Sequence, residues 1–166
     1  MTESSENGLT PRHWIALTAL ISGVVATFLH LWKLGLTGPL VCSANRGCEI
    51  AQFSSYGWFL GVDVALIGAV GYTAIFVTAM LGVQPRWQHD RRTTALLALL
   101  VYPAILFTLR LKYGEFVVLK TFCPWCAISA VTITLHGVLV WMDWRRVQPR
   151  EPALSAAKGQ AAGGER

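Results

Sequence analysis

The chain has 166 residues, of which 54% are hydrophobic and only 14% are charged, and this composition excludes an ordinary soluble domain. The formal net charge of +5 does not indicate nucleic-acid binding, because the basic residues are scattered between apolar segments and form no basic helix or patch. The length and composition therefore predict a single integral membrane domain.

The first apolar segment follows a short polar stretch. Residues 1–12 are polar and contain a Thr-Pro break, which predicts a disordered cytoplasmic tail. Residues 14–34 run almost without charge, and at 1.5 Å per residue they span about 30 Å, enough for the hydrocarbon core. Trp14 and Trp32 suit the two membrane interfaces. This segment is predicted to be the first transmembrane helix.

A loop and three further apolar runs complete the domain. The loop at residues 35–61 contains too few apolar residues to span but too many for a solvated loop, which predicts a short interfacial helix. Further spans are expected at about 64–81, 93–111 and 122–142, with close helix packing at Gly61, Gly68 and Gly71. Residues 145–166 are expected to be a disordered cytoplasmic tail. The predicted fold, over residues 13–144, is an all-α four-transmembrane-helix bundle with an external loop that carries a short interfacial helix.

Basic residues near the span ends predict the orientation. Seven lie on one side (Arg12, Arg86, Arg91, Arg92, Arg145, Arg146 and Arg150) and five on the other (Lys33, Arg46, Arg110, Lys112 and Lys120). This bias predicts that both termini are cytoplasmic. Two spans separate the loop that carries Cys42 and Cys48 from Cys123, so both cysteine pairs are expected at the outer face.

The four cysteines form two pairs, and the second pair opens a membrane helix. Cys123 lies at its first turn, where unpaired N–H groups and the helix dipole favour a thiolate, and Cys126 lies one turn deeper. A loop that carries Cys42 and Cys48 can reach both water and this helix end, as thiol–disulfide exchange requires. The pattern predicts electron transfer between two dithiols. A zinc site is an alternative, but the spacer of the first pair is longer than zinc sites usually have.

The order and spacing of these motifs resemble the vitamin K epoxide reductase family, in its bacterial disulfide-bond-forming branch. The resemblance rests on Cys42-x5-Cys48, the following Ser54-Ser55-Tyr56-Gly57, Gly68-x3-Tyr72 and the Cys123-Pro124-Trp125-Cys126 motif. It implies a four-helix bundle around a quinone, which could be menaquinone, ubiquinone or phylloquinone. It further implies that this chain lies in the inner membrane of a bacterium and oxidises a separate thioredoxin-like (DsbA-like) protein outside the cytoplasm. The electrons would pass to the quinone pool of the lipid membrane.

The resemblance also implies a role for each cysteine. Cys42 would exchange with the thioredoxin-like partner, Cys48 would pass electrons to Cys123, and Cys126 would face the quinone. Val64 stands where animal members have an asparagine that contacts vitamin K, and Ala130 stands where they have a tyrosine. These departures favour reduction of a plain quinone over reduction of an epoxide.

Two other residues are candidates for quinone contacts. Ser54 matches a loop hydroxyl of the family, and Asp63 could deliver a proton, but each could equally cap a helix. His30 and His136 are expected to be packed or interfacial rather than catalytic. The alternative function is a non-enzymatic membrane module that binds metal or transports thiols. A thiol transporter should carry cysteines on both faces or within the spans, and this sequence shows neither.

Overall fold

The computed structural model describes residues 10–39, 46–87 and 90–147. Four helices in it are long and apolar enough to cross a membrane: α1 (Pro11–Lys33), α3 (Val64–Val83), α4 (Arg91–Tyr113) and α5 (Pro124–Val147). A π-helical turn, Gly114–Val118, continues α4 without a break. The predicted all-α four-helix membrane bundle is therefore confirmed.

Small residues contribute much of the buried face of α1. Ala16, Ala19 and Ala26 are buried there beside Ile15, whereas Ile21 and Val24 are more than half exposed. Small residues let helix backbones approach closely, and exposed leucine and valine side chains suit contact with lipid. Gly68 follows this rule, since a Cβ there would lie 3.7 Å from that of Ala26. Gly61 and Gly71 do not, because no described residue lies within 4 Å of a Cβ built at either position.

The segment between α1 and α3 contains a short helix and a small hairpin. Helix α2 (Gly47–Phe53) is the short helix that the sequence predicts, and a 3-10 turn at Ser55–Gly57 follows it. Strands β1 (Trp58–Phe59) and β2 (Val62–Asp63) then pair antiparallel, which the sequence analysis did not anticipate. The Lys33 ammonium ties this segment to α1: it donates to the Gly57 carbonyl at 2.9 Å and to Asp63 at 2.8 Å.

The start of the first helix and the end of the last helix extend into stretches that the sequence predicts to be tails. Helix α1 begins at Pro11 and α5 ends at Val147, so Arg12 lies inside a helix and is only 2% exposed. Its guanidinium donates to Asp143 at 2.9 Å, to the Gly82 carbonyl at 2.6 Å and to Thr94 at 2.9 Å. One arginine thus joins the ends of all four long helices. The remaining parts of the two predicted tails, residues 1–9 and 148–166, lie outside the described residues.

Candidate active site

Cys123 is the residue immediately before α5, and the local sequence places its sulfur over the helix end. Pro124 occupies the first helical position, where its missing N–H costs nothing, and the Ala127 N–H closes the first turn on the Cys123 carbonyl at 3.0 Å. The Cys126 N–H donates to the Cys123 Sγ at 3.4 Å. The sulfur therefore takes the part that a serine or aspartate oxygen plays at other helix N-termini. Cys123 and Cys126 are both free thiols.

These contacts make the Cys123 thiol more acidic than an ordinary cysteine. The hydrogen bond from the Cys126 side chain holds the pKa of the Cys123 thiol below its ordinary value, and the Cys126 N–H adds to this. Burial of the sulfur and the nearby carboxylate of Glu115 act in the opposite direction, while Lys112 favours the thiolate. Because a thiol of lower pKa is more often a thiolate and is also a better leaving group, the net effect favours disulfide exchange at Cys123.

A buried ion pair that the sequence analysis did not single out lies beside Cys123. The Glu115 carboxylate accepts the backbone N–H of Cys123 at 2.6 Å and the ammonium of Lys112 at 2.6 Å, and Glu115 is only 4% exposed. The π-helical turn at the end of α4 positions Glu115 for both contacts. A sequence signal was present, because Glu115 falls within the membrane-length helical stretch Arg91–Val118, and an ionisable residue inside such a stretch is costly and marks a candidate functional site.

Cys126 opens onto a cavity of about 200 Å³ at the centre of this end of the bundle. Most of the lining is apolar, and the amide of Gln52 donates to the Cys126 Sγ at 3.7 Å. All four long helices and the α1–α3 segment contribute to it, through Thr18, Ile21, Ser22, Val25, Ala26, Leu29, Ala51, Gln52, Tyr56, Gly57, Val64, Ala65, Gly68, Tyr72, Thr108, Leu111, Lys112, Glu115, Leu119, Trp125, Cys126, Ile128, Ser129 and Thr132. Such a chamber can hold an apolar ring and present it to one thiol.

The segment that carries Cys48 packs against the start of α5. Cys48 lies in α2, is fully buried and is disulfide-bonded. The backbone of the preceding residue, Gly47, lies against the Phe122 carbonyl, and a Cβ at Gly47 would also come within 2.8 Å of the Thr121 hydroxyl. The neighbour of Cys48 thus touches the neighbour of Cys123. Cys42, the remaining predicted site residue among the cysteines, lies outside the described residues.

The model of the vitamin K epoxide reductase family matches residues 13–141, a range that contains every cysteine and all residues that line the cavity. The chain belongs to the vitamin K epoxide reductase family. Membership of this family and the four membrane-length helices identify a multi-pass membrane protein of the thiol oxidoreductase kind.

The two predicted quinone contacts have other partners in this family member. Ser54 donates its hydroxyl to the Ala51 carbonyl at 2.9 Å, at the end of α2. Asp63 caps α3 through the Ala65 N–H at 3.1 Å and accepts from Lys33 and His30. Burial would raise the pKa of the Asp63 carboxyl, but hydrogen bonds from Lys33, His30 and Ala65 bring it below the ordinary value. Neither residue is among the described residues that line the cavity.

Polar groups deeper in the bundle form a second network. The Tyr72 hydroxyl donates to the Ser129 carbonyl at 3.1 Å and lies 2.8 Å from the Ser129 hydroxyl, and both residues line the cavity. His136 is fully buried, with its Nε2 2.7 Å from the Thr18 hydroxyl and its ring edge-on to Tyr72. His136 does not line the cavity, in keeping with the packing role expected for it.

Proposed function

We propose that this family member is a quinone-linked thiol oxidase that oxidises a separate thioredoxin-like protein and passes the electrons through two cysteine pairs to a quinone. The observation that carries the proposal is the position of the Cys123–Cys126 pair. Cys126 lines an apolar cavity, while Cys123, one turn away, lies at the helix start against which α2 packs. One pair can therefore serve both the loop cysteines and the membrane.

The proposed relay consists of two thiol–disulfide exchanges. A thiolate of the partner attacks Cys42 of a Cys42–Cys48 disulfide, and the partner's second thiol then completes its own disulfide and leaves both loop cysteines reduced. The Cys48 thiolate next attacks Cys123 of a Cys123–Cys126 disulfide and displaces the Cys126 thiolate. Attack of Cys42 on Cys48 then releases Cys123. Two electrons and two protons have now moved from the partner to the Cys123–Cys126 pair.

The last step transfers these electrons out of the protein. A quinone accepts two electrons and two protons from a dithiol and becomes a hydroquinone, while Cys123 and Cys126 return to the disulfide. Menaquinone, ubiquinone and phylloquinone share the flat apolar ring that the lining of the cavity favours. The chain's part is to hold Cys126 at the cavity wall, to keep the Cys123 thiol acidic and to exclude water with an apolar lining.

We place the cysteine pairs at the outer face of a bacterial cytoplasmic membrane, with both termini in the cytoplasm. The seven basic residues against five near the span ends support this orientation, and the even number of crossings between the loop and Cys123 supports a common face. The product at that face would be an oxidised thioredoxin-like protein, which supports disulfide formation in exported proteins.

The test uses purified full-length protein, a short-chain quinone and a reduced thioredoxin-like substrate, with quinone absorbance followed over time. We expect turnover that Cys126→Ala abolishes and that Ser54→Ala leaves within about twofold, because Ser54 bonds to the Ala51 carbonyl rather than the cavity. In Cys48→Ala, a mixed disulfide between Cys42 and the substrate should accumulate. Absence of turnover with all three quinone classes would overturn the proposal, and equally easy trapping at Cys48 in Cys42→Ala would contradict the proposed relay order.

A further inference from the structure

Charge in the cavity is confined to one place. Among the described residues that line it, only Lys112 and Glu115 are charged, and both lie at the end of α4 that faces Cys123. The Lys112 side chain is 16% exposed and that of Glu115 is 5% exposed. Burial of an ion pair costs free energy that a hydrocarbon pair of similar volume would not, so a purely structural pair offers little stabilisation.

Lys112 has spare hydrogen-bonding capacity, and among the described residues of the cavity lining it is the one cation. An ammonium has three donors, and the described residues give Lys112 one acceptor, the Glu115 carboxylate. Single-proton hydroxyls of the lining are already engaged with carbonyls: Thr18 with Trp14, Thr132 with Ile128 and Tyr72 with Ser129. The amide of Gln52 also keeps a free donor, but a charged donor forms the stronger hydrogen bond, so Lys112 is the group best suited to bind an acceptor atom that gains negative charge in the cavity.

We propose that Lys112 binds a ring oxygen of the quinone and that Glu115 is the positioning residue that holds Lys112 beside Cys126. This inference rests on the proposed function and adds the residue that recognises the electron acceptor. The oxygen gains negative charge as electrons arrive from the thiol, and a positioned cation in an apolar cavity stabilises such charge far more than water does. Glu115 links the two halves of the site, because the same carboxylate also holds the backbone N–H of Cys123.

The inference is tested by measuring the affinity of the protein for two probes. One probe carries the oxygen atoms that Lys112 would bind, and the other fills the cavity without them. The protein is first oxidised so that no electrons are transferred, and binding is followed by tryptophan fluorescence, since Trp125 lines the cavity. The probes are a short-chain quinone and a naphthalene of similar size without oxygen. We expect Lys112→Met to weaken quinone binding about tenfold or more, to leave naphthalene binding unchanged, and to be largely rescued by Lys112→Arg. Lys120→Met is the matched control, because Lys120 is exposed and outside the cavity lining.

Glu115→Gln tests the positioning role, since glutamine keeps an acceptor for the Cys123 N–H but loses the ion pair with Lys112. It should also weaken quinone binding selectively. Equal affinity of wild type and Lys112→Met for the quinone would overturn the inference, as would a parallel loss of both probes. If the wild type binds neither probe and turns over no quinone, the proposed function fails. If the wild type turns over quinone and Lys112→Met binds it normally, only the present inference fails.

Discussion

The backbone of Gly47 lies directly against the carbonyl of Phe122, with no room for a side chain between them. Each of these residues precedes a cysteine, Cys48 and Cys123 respectively. Glycine is required here by close approach of two backbones rather than by an unusual dihedral angle. The contact limits how near Cys48 comes to Cys123. A substitution at Gly47 should therefore interfere with the proposed electron transfer between the two cysteine pairs.

Gly47→Ala should slow electron transfer between the two cysteine pairs. The added methyl must push α2 away from the start of α5, and a displacement of about 1 Å can cost on the order of a hundredfold in rate. The measurement is quinone reduction driven by the thioredoxin-like substrate. Gly71→Ala is the control, because a Cβ there meets nothing within 4 Å. A Gly47→Ala rate equal to that of Gly71→Ala would show that the contact does not limit the relay.

Loss of the Cys126 thiol should make Cys123 less acidic. The hydrogen bond from Cys126 is the largest influence that lowers the pKa of the Cys123 thiol, so Cys126→Ala should shift its titration to higher pH. Cys126→Ser keeps a hydroxyl donor at the same place and should shift it less. The pH dependence of alkylation at Cys123, located by mass spectrometry, provides the measurement. Identical titrations in the alanine and serine variants would contradict the assignment to this hydrogen bond.

Asp63→Asn should destabilise the protein by about 3–5 kcal/mol, because Lys33, whose side chain is 3% exposed, then loses its carboxylate partner. Asp90→Asn is the control: Asp90 also caps a helix, but its carboxylate accepts from the exposed Arg92 N–H rather than from a buried cation, and asparagine caps equally well. The stability of both variants is measured by unfolding in mild detergent.

The stabilisation that Asp63 provides should depend on pH. The pKa of Asp63 is lower in the folded protein than its ordinary value of 3.8, so the folded state favours the carboxylate. The stabilisation is therefore complete above the unfolded-state pKa and is lost as the pH falls through the lower folded-state pKa. We expect the stability difference between wild type and Asp63→Asn to be constant from neutral pH to about pH 5 and to shrink below about pH 4. A difference that grows with acid would contradict this sign.

Arg12→Met should also cost about 3–5 kcal/mol, because it leaves Asp143 buried without its cation. Arg46→Met is the matched control, since the Arg46–Glu49 pair is exposed and is expected to contribute at most about 1 kcal/mol. Replacing both partners, as Arg12→Met with Asp143→Leu, should recover much of the loss. Equal stability of the Arg12→Met and Arg46→Met variants in a thermal unfolding assay would show that the buried pair adds nothing.

Hydropathy and spacing in the sequence determined the four membrane-spanning helices and the placement of Cys123 at the start of the last one. These features depend on runs of neighbouring residues, and an apolar run of membrane length has few alternatives to a helix. The same local pattern predicted the short helix α2, although not the hairpin that follows it. The loop position of Cys42 and its proposed exchange with a partner remain predictions.

Only the tertiary structure decided which polar groups meet. Arg12 and Asp143 are 131 residues apart in the chain, and the sequence indicated a tail and a topology signal where the fold forms a buried ion pair. From the sequence, Lys112 was only a topology signal and Glu115 was not singled out; the packing of α4 and α5 brings both to Cys123 and the cavity. Hydrophobicity is a property of each segment alone, whereas the partner of a buried charge depends on how helices are rotated and packed against one another, which no local pattern encodes.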